Sequence, residues 1–322
     1  METFLVTGAA GFIGRSIAAE LLRRGKRVRG IDNFATGKRE NLRGLEAMDF
    51  IEADINDATA VAEACREVEC IFHEAAIPSV PRSVEDPVSS NRAGVSGTVQ
   101  LLVGAKDAKV RRVIYAGSSS VYGNTPTLPK SEDMRPNPIS PYAVSKLAGE
   151  FYMQSFGQVY GLETVTIRYF NVFGPYQDPT SEYSGVLAKF TLKMLAGERP
   201  TIFGDGEQSR DFTFIENVVH GNLLASEAPA DRVSGMIFNV ATGNRITLNQ
   251  AVEILKEATG YGGEIKYAGE RGGDVMHSLA DISQAKERLG YESLVQFREG
   301  LERTVAWYKS IAKCTKSQCE GV

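Results

Sequence analysis

The sequence predicts an α/β fold: a doubly wound parallel sheet with a smaller C-terminal α/β lobe. Three observations carry this. Short runs of β-branched and aromatic residues alternate with helix-patterned stretches through the first half. A glycine-rich turn, Thr7-Gly8-Ala9-Ala10-Gly11-Phe12-Ile13-Gly14, follows the first of these runs directly. The alternation loosens after Asn171, where Gly, Pro, Asp and aromatics dominate residues 174–184 and 200–214. Strands alternating with helices argue for a parallel sheet covered on both faces, with ligands at the C-terminal ends of the strands.

The strands are expected at residues 4–7, 27–31, 50–53, 70–73, 113–116 and 164–169, with a further one at 236–240. Ile13, Ile17, Leu21 and Leu22 recur at helical spacing after the glycine turn. A late helix starts at Thr247 as N-cap, carries Leu248, Ala251, Val252, Leu255 and Ala258 on one face, and stops at Gly260. The polar tail at 313–322 is expected to fray.

The chain has 322 residues, 43% hydrophobic and 24% charged, enough for a sizeable core in one large or two moderate domains. A formal net charge of −4 gives no basic surface for a polyanion, so nucleic acid is not an expected partner. Cys65, Cys70, Cys314 and Cys319 form no Cys-x-x-Cys pair and have no histidines at ligand spacing, which reads as reduced thiols and no metal site. The chain enters its first strand with no secretory pattern before it, and no apolar run approaches about 20 residues. The expectation is a cytoplasmic protein with no membrane partner.

The glycine turn is built for a dinucleotide. Gly8 permits the tight turn, Gly11 lets the backbone approach a pyrophosphate, and Gly14 lets the helix pack closely on the sheet. The helix N-terminus then offers N–H groups to the phosphates. Asp32 ends the second strand, where a carboxylate accepts the adenosine ribose hydroxyls and repels a 2′-phosphate, favouring NAD over NADP. Arg15, Lys38 and Arg39 are nearby cations that oppose this preference. Asp54 ends the third strand, placed for the adenine amino group, and the small Ala75 and Ala76 let a cofactor lie against the sheet. The cofactor-binding set is Gly8, Gly11, Phe12, Ile13, Gly14, Asp32, Asn33, Thr36, Gly37, Asp54, Ile55, Ala75 and Ala76, joined by Tyr142 and Lys146. His73 reads as a packed strand histidine.

Ser140-Pro141-Tyr142-Ala143-Val144-Ser145-Lys146 opens a helix, with Ser140 as N-cap and Pro141 at the first turn. Tyr142 and Lys146 then share a face one turn apart. A tyrosine acting as a base near pH 7 needs its pKa lowered by about three units, roughly 4 kcal/mol of differential stabilisation. A lysine ammonium and a positive nicotinamide ring are groups of the right sign. Ser118, Ser119 and Ser120 directly follow a strand, where hydroxyls can donate to a reacting sugar hydroxyl or relay its proton.

Together the glycine turn, the serine cluster, Tyr142-x-x-x-Lys146 and Arg168-Tyr169-Phe170-Asn171-Val172-Phe173-Gly174 resemble the extended short-chain dehydrogenase/reductase superfamily, whose core is a Rossmann-type sheet. Within it the chain is similar to the nucleotide-sugar 4-epimerases over residues 3 to about 308. Segments 79–87 and 273–282 look most like the UDP-N-acetylglucosamine 4-epimerase branch, beside the UDP-glucose 4-epimerases. The resemblance implies an NAD-binding domain at 1–170 and a UDP-sugar lobe at 171–322, with the strand near 236–240 returning to the first. It implies Ser118, Tyr142 and Lys146 as catalytic residues. It implies substrate contacts from Ser79, Ser119, Ser120, Asn171, Val186, Phe203, Arg210, Arg271, Asp274 and Ser278. Asn171 would bond the pyrophosphate, Phe203 would pack near the uracil, Arg210 and Arg271 would neutralise the diphosphate, and Asp274 would accept the uridine ribose hydroxyls. Ser278 would wall the sugar pocket, and so small a residue leaves room for an N-acetyl group.

The implied reaction oxidises and re-reduces the sugar at C4 through a 4-keto form, with NAD tightly held and regenerated in each cycle. It interconverts UDP-N-acetylglucosamine and UDP-N-acetylgalactosamine, and extends to UDP-glucose and UDP-galactose. Relatives pair as homodimers through two helices per subunit, here near residues 88–106 and 142–160. The chain departs from the pattern at Gly94, where relatives commonly carry Asn before Gly97-Thr98. The alternatives are a UDP-glucuronate 4-epimerase, another NAD-dependent nucleotide-sugar dehydratase or decarboxylase, and a non-catalytic NAD sensor. Related dehydratases carry Asp-Glu where this chain has Ser119-Ser120, decarboxylases typically carry Glu where Ser120 stands, and a sensor would lack the tyrosine or the lysine.

Overall fold

The computed structural model describes residues 2–178, 185–269 and 276–319. In chain order the first half gives β1 (Thr3–Thr7), α1 (Phe12–Arg23), β2 (Arg27–Asp32), β3 (Asp49–Glu52), α2 (Ala58–Ala64), β4 (Cys70–His73), α3 (Val80–Glu85), α4 (Pro87–Asn91), α5 (Gly97–Asp107), β5 (Arg112–Ser118), α6 (Pro141–Tyr160) and β6 (Glu163–Tyr169). The second half gives β7 (Val172–Phe173), α7 (Val186–Leu195), β8 (Thr201–Phe203), β9 (Ser209–Arg210), β10 (Thr213–Phe214), α8 (Ile215–Glu227), α9 (Ala230–Val233), β11 (Met236–Val240), β12 (Ile246–Thr247), α10 (Leu248–Thr259), β13 (Lys266–Ala268), α11 (Ser283–Leu289) and α12 (Phe297–Cys319).

Seven strands form one sheet in the order β11-β6-β5-β4-β1-β2-β3, and every pairing in it is parallel. The late strand β11 pairs with β6, so the second half of the chain supplies one edge of the main sheet. The order reverses between β1 and β4, the switch point where such sheets open a ligand crevice. Burial on both faces explains the nearly continuous apolar runs: β4 is buried at all four positions and β5 at six of its seven.

Local chemistry sets the helix ends. Ser140 Oγ accepts the Ala143 N–H at 3.2 Å with Pro141 behind it, and α6 stops at Gly161 in the left-handed region. Thr247 and Gln250 form a full capping box on α10, which ends at Gly260, φ 79°. One face of the sheet packs on a core with Ile17, Leu21, Phe72, Ile114, Val218 and Leu223, the other on a core with Leu5, Val61, Leu101, Val113, Met153 and Phe156. An aromatic cluster of Phe173, Phe212, Phe214 and Phe297 ties α12 to the segment after β6.

Two features differ from the sequence expectation. The helix α12 continues to Cys319 through a tail expected to fray from residue 313, where no glycine or proline interrupts it. A π-helical segment, Arg92–Ser96, joins α4 to α5. Gly94 lies in it, where a Cβ would stand 2.8 Å from Ser145 Oγ. An asparagine there, as in the family pattern, would need the Ser145 side chain of α6 to move aside. No helix among the described residues is long and apolar enough to cross a membrane.

Candidate active site

A continuous cleft of about 1480 Å³ opens at the C-terminal ends of β1, β2, β4, β5 and β6. Its inner wall is the glycine turn. Gly8 stands at φ 67°, and a Cβ on it would lie 2.9 Å from Ala75 N. A Cβ on Gly14 would lie 2.2 Å from Gly8 O. The cap residue Gly11 offers no side chain to the first turn of α1, so that turn presents bare N–H groups. Asp32 accepts the Ala10 N–H at 3.0 Å and the Phe34 N–H at 2.7 Å, and its oxygens keep capacity for ribose hydroxyls. Burial holds this carboxyl above its ordinary value. Asn33 Nδ2 donates to Asp54 Oδ2 at 3.1 Å, which closes the adenosine end. These donors and bare backbone fit a dinucleotide.

The three neighbouring cations are all engaged elsewhere. Arg15 lies 3.5 Å from the Tyr176 ring centroid, Lys38 pairs with Asp178 at 2.9 Å, and Arg39 pairs with Glu52 at 2.5 Å while covering Phe34. None of them cancels the Asp32 charge at the ribose position, and this favours NAD over NADP.

The reactive end lies where β5 meets α6. Ser118 Oγ accepts from Ser120 Oγ at 2.9 Å and from Ser120 N–H at 3.2 Å, and its hydroxyl lowers the pKa of the neighbouring Tyr142 phenol. Lys146 Nζ donates to Ala116 O at 2.7 Å and lies 6.0 Å from the Tyr142 ring centroid. Burial pulls the Lys146 ammonium down to about 8, against the Glu74 and Glu150 carboxylates. Tyr142 does not show the depressed pKa expected of it. Burial raises it, Ser118 lowers it and Glu74 raises it again. The protein alone therefore holds the phenol protonated near neutral pH.

Behind this end, Glu150 on α6 grips Arg168 on β6 through two bonds of 3.0 and 2.7 Å, both side chains being almost fully buried. His73 bridges Thr7 at 2.8 Å and Thr98 at 2.9 Å, and Thr98 Oγ1 passes on a donor to Gly94 O. Burial and the Lys146 charge pull His73 down to about 3, so it is a neutral brace inside the sheet and not a catalyst.

The cleft wall brings together most sequence-predicted positions: Gly8, Gly11, Phe12, Ile13, Gly14, Asp32, Asn33, Thr36, Asp54, Ile55, Ala75 and Ala76 at the cofactor end, then Ser118, Tyr142 and Lys146, and beyond them Ser79, Ser119, Ser120, Asn171, Arg210 and Ser278. Asn171 stands at φ 37° and its Nδ2 donates to Asp211 O at 3.2 Å. Arg210 Nη1 donates to Met276 O at 3.1 Å, and the Ser278 N–H bonds Ser209 O at 3.0 Å, which registers the segment carrying Ser278 beside β9. Three expected positions are off the wall. Gly37 packs behind the turn, where a Cβ would meet Ala10 at 2.9 Å. Val186 opens α7 and packs on the core beside Gly185, which does line the cleft. Phe203 ends β8, its carbonyl accepting Gln208 Nε2 at 2.6 Å. Arg271 and Asp274 lie outside the described residues.

Sequence reasoning missed several residues on the wall. Glu74 accepts the Tyr169 hydroxyl at 2.8 Å, and burial pushes its carboxyl up to about 7 against that bond and the Lys146 charge. Its place at the end of β4 was the available signal. Lys130, Tyr176, Gln177 and Asp178 also line the cleft, with no local pattern to mark them. Cys65 and Cys70 are buried free thiols pushed up to about 12 by burial, away from this chemistry.

The chain is similar to known proteins over nearly its whole length. Residues 4–241 match the model of the NAD dependent epimerase/dehydratase family. A UDP-glucose 4-epimerase of Mycolicibacterium smegmatis is 41% identical over 311 residues, covering 95% of this chain and 98% of its own. The UDP-glucose 4-epimerase of Thermotoga maritima, solved with UDP-glucose, is 38% identical with a TM-score of 0.91, covering 96% of this chain and 99% of its own. The same identity, coverage and TM-score hold for the UDP-N-acetylglucosamine 4-epimerase of Methanobrevibacter ruminantium, solved with UDP-N-acetylmuramic acid. With an NAD cradle at one end of its cleft and a Ser-Tyr-Lys set at the other, this chain belongs to the NAD-dependent epimerase/dehydratase family.

Proposed function

We propose that the protein is an NAD-dependent UDP-hexose 4-epimerase that accepts N-acetylated sugars. The observation that carries this is the convergence of Ser118, Tyr142 and Lys146 on the cleft that also holds the glycine cradle and Asp32. NAD, when bound, supplies the acceptor and later the donor of hydride at C4. The protein's own residues handle protons and position. Tyr142 takes the C4 hydroxyl proton and returns it after the keto sugar has presented its other face. Ser118 aligns the phenol with that hydroxyl. Lys146, fixed to Ala116 and 6.0 Å from the Tyr142 ring, holds a positive charge at this end of the cleft, to which a nicotinamide would add its own. Asn171 and Arg210 hold the diphosphate, a guanidinium fork suiting phosphate oxygens, and Ser278 leaves room beside the sugar.

The test is to incubate the purified protein, without added NAD, with UDP-N-acetylglucosamine, UDP-glucose and UDP-glucuronate separately and to follow the anomeric NMR signals. Interconversion of the N-acetylated pair supports the reading. Turnover of UDP-glucuronate alone, or of none of the three, overturns it. Tyr142→Phe removes the proton carrier and should slow turnover at least about 100-fold with bound NAD retained.

Pairing of two copies is part of the same proposal. Val84 and Val88 on α3 and α4, and Val144, Phe151, Val159 and Tyr160 on α6, are exposed apolar side chains on neighbouring helices. A second copy covering them buries this face against itself. Light scattering should give a dimer, and Phe151→Glu with Val159→Glu should give a monomer.

A further inference from the structure

The outer edge of the cleft is crossed by a strap that follows β7. Tyr176 stands at φ 69°, a conformation a tyrosine keeps only where surrounding contacts hold it. Those contacts are specific. The Arg15 guanidinium lies 3.5 Å from the ring centroid, and Trp307 of α12 packs against the ring with centroids 5.0 Å apart. The Tyr308 hydroxyl donates to Gln177 O at 2.7 Å, so α12 anchors the strap from behind. At its far end Asp178 pairs with Lys38 at 2.9 Å.

Both residues gripped by the strap adjoin the cofactor cradle. Arg15 is in the first turns of α1, and its Nε donates to Asn41 O at 3.1 Å. The Lys38 N–H and Asn41 Nδ2 both donate to Ala10 O inside the glycine turn, at 3.1 and 2.8 Å. The strap therefore reaches the phosphate-binding turn through two short chains of contacts, one by Arg15 and one by Lys38. Gly11, Lys38, Asn41, Tyr176, Gln177 and Asp178 all line the same cleft. Arg15 has no carboxylate partner among the described residues, and burial lowers its pKa. A partly dehydrated guanidinium gains more from an aromatic face than a fully solvated one does.

We infer that Tyr176 and Asp178 are cofactor-positioning residues supplied by the second half of the chain, latching onto Arg15 and Lys38 across the mouth of the dinucleotide cradle and keeping the dinucleotide in place between turnovers. This rests on the reading that the cradle holds NAD. A dinucleotide lying along the turn leaves past Lys38 and Asn41 only after the strap lifts. The two contacts differ in kind. The Lys38–Asp178 pair is part-exposed, with side chains 44% and 29% accessible, and salt weakens it. The Arg15–Tyr176 stack is more sheltered and far less sensitive to salt.

The experiment measures NAD release directly, without turnover. Protein loaded with NAD is diluted into an excess of a dehydrogenase and its substrate, which trap freed NAD as NADH and report it by fluorescence. Tyr176→Ala should speed release about 3- to 30-fold, whereas Tyr176→Phe, which keeps the stack, should stay within about twofold of wild type. Asp178→Lys and Lys38→Glu should each speed release about 2- to 5-fold, and the double reversal should recover most of that loss. Raising salt should speed release from wild type but not further from Asp178→Lys. Release from Tyr176→Ala and Asp178→Lys at the wild-type rate overturns the latch and leaves the cofactor reading standing. A double reversal as fast as the product of the single changes overturns the pairing. A wild-type chain that binds no NAD overturns the cofactor reading and the latch together. Should Tyr176→Ala unfold the strap region, the charge reversal at two part-exposed positions decides the question alone.

Discussion

Lys146 Nζ donates to the carbonyl oxygen of Ala116 at 2.7 Å, which fixes a lysine of α6 to the strand that carries Ser118. Burial brings this ammonium down to about 8, within reach of ordinary working pH. Its charge is present below that value and lost as pH rises through it. Lys146→Met should therefore reduce turnover by at least about 100-fold. The wild-type rate should fall on the alkaline side as the lysine loses its proton. A rate profile flat from pH 7 to 10, measured by NMR of the UDP-sugar anomers, would refute this role.

The Glu150–Arg168 pair should be costly to break and cheap to replace. Removing one partner strands a charge in a site where Glu150 is 1% and Arg168 2% exposed. Arg168→Met should destabilise by about 3–5 kcal/mol, and Glu150→Leu added to it should recover much of that loss. Urea unfolding of the two variants reads both values. A single variant as stable as wild type would show that the pair does not hold α6 to the sheet.

His73 predicts an acid-side loss of stability. The folded protein keeps it neutral down to about 3, while the unfolded chain binds a proton near 6.5. Between those values the unfolded state binds more protons, so this residue makes stability fall as pH drops from 6.5 towards 3. The contribution is at its full favourable value above 6.5. His73→Gln should lose less stability than wild type between pH 7 and pH 5 by urea unfolding. Equal losses would mean that other groups carry the acid response.

Ser278 on the cleft wall should govern sugar size. Ser278→Tyr should lower turnover of UDP-N-acetylglucosamine relative to UDP-glucose by at least about tenfold, the scale of a steric sieve. Competition between the two sugars in one NMR tube gives the ratio directly. An unchanged ratio would move the discrimination elsewhere on the wall, with Lys130 the neighbouring candidate: it pairs with the segment that follows Ser278, its N–H on Leu279 O at 2.8 Å.

The sequence by itself determined the features that are local in the chain. The β4 and β11 boundaries follow from short apolar runs between turn residues. Ser140 and Thr247 announce their helices because a capping hydroxyl acts within three residues. The glycine cradle is legible because nothing larger fits: a Cβ on Gly14 would meet Gly8 O only six positions back. The reactive set reads from sequence because Tyr142 and Lys146 are one helical turn apart and the serines end a strand. Tertiary structure alone decided what depends on segments far apart meeting. Val186 and Phe203 are not among the cleft-lining residues, and an apolar side chain carries no local mark of which surface it joins. Arg15, Lys38 and Arg39 read as free cations until Tyr176, Asp178 and Glu52 come to meet them. Glu74 gains its shifted carboxyl only when β4, β6 and α6 close around it, since burial and a neighbouring charge are properties of the packed chain, not of its order.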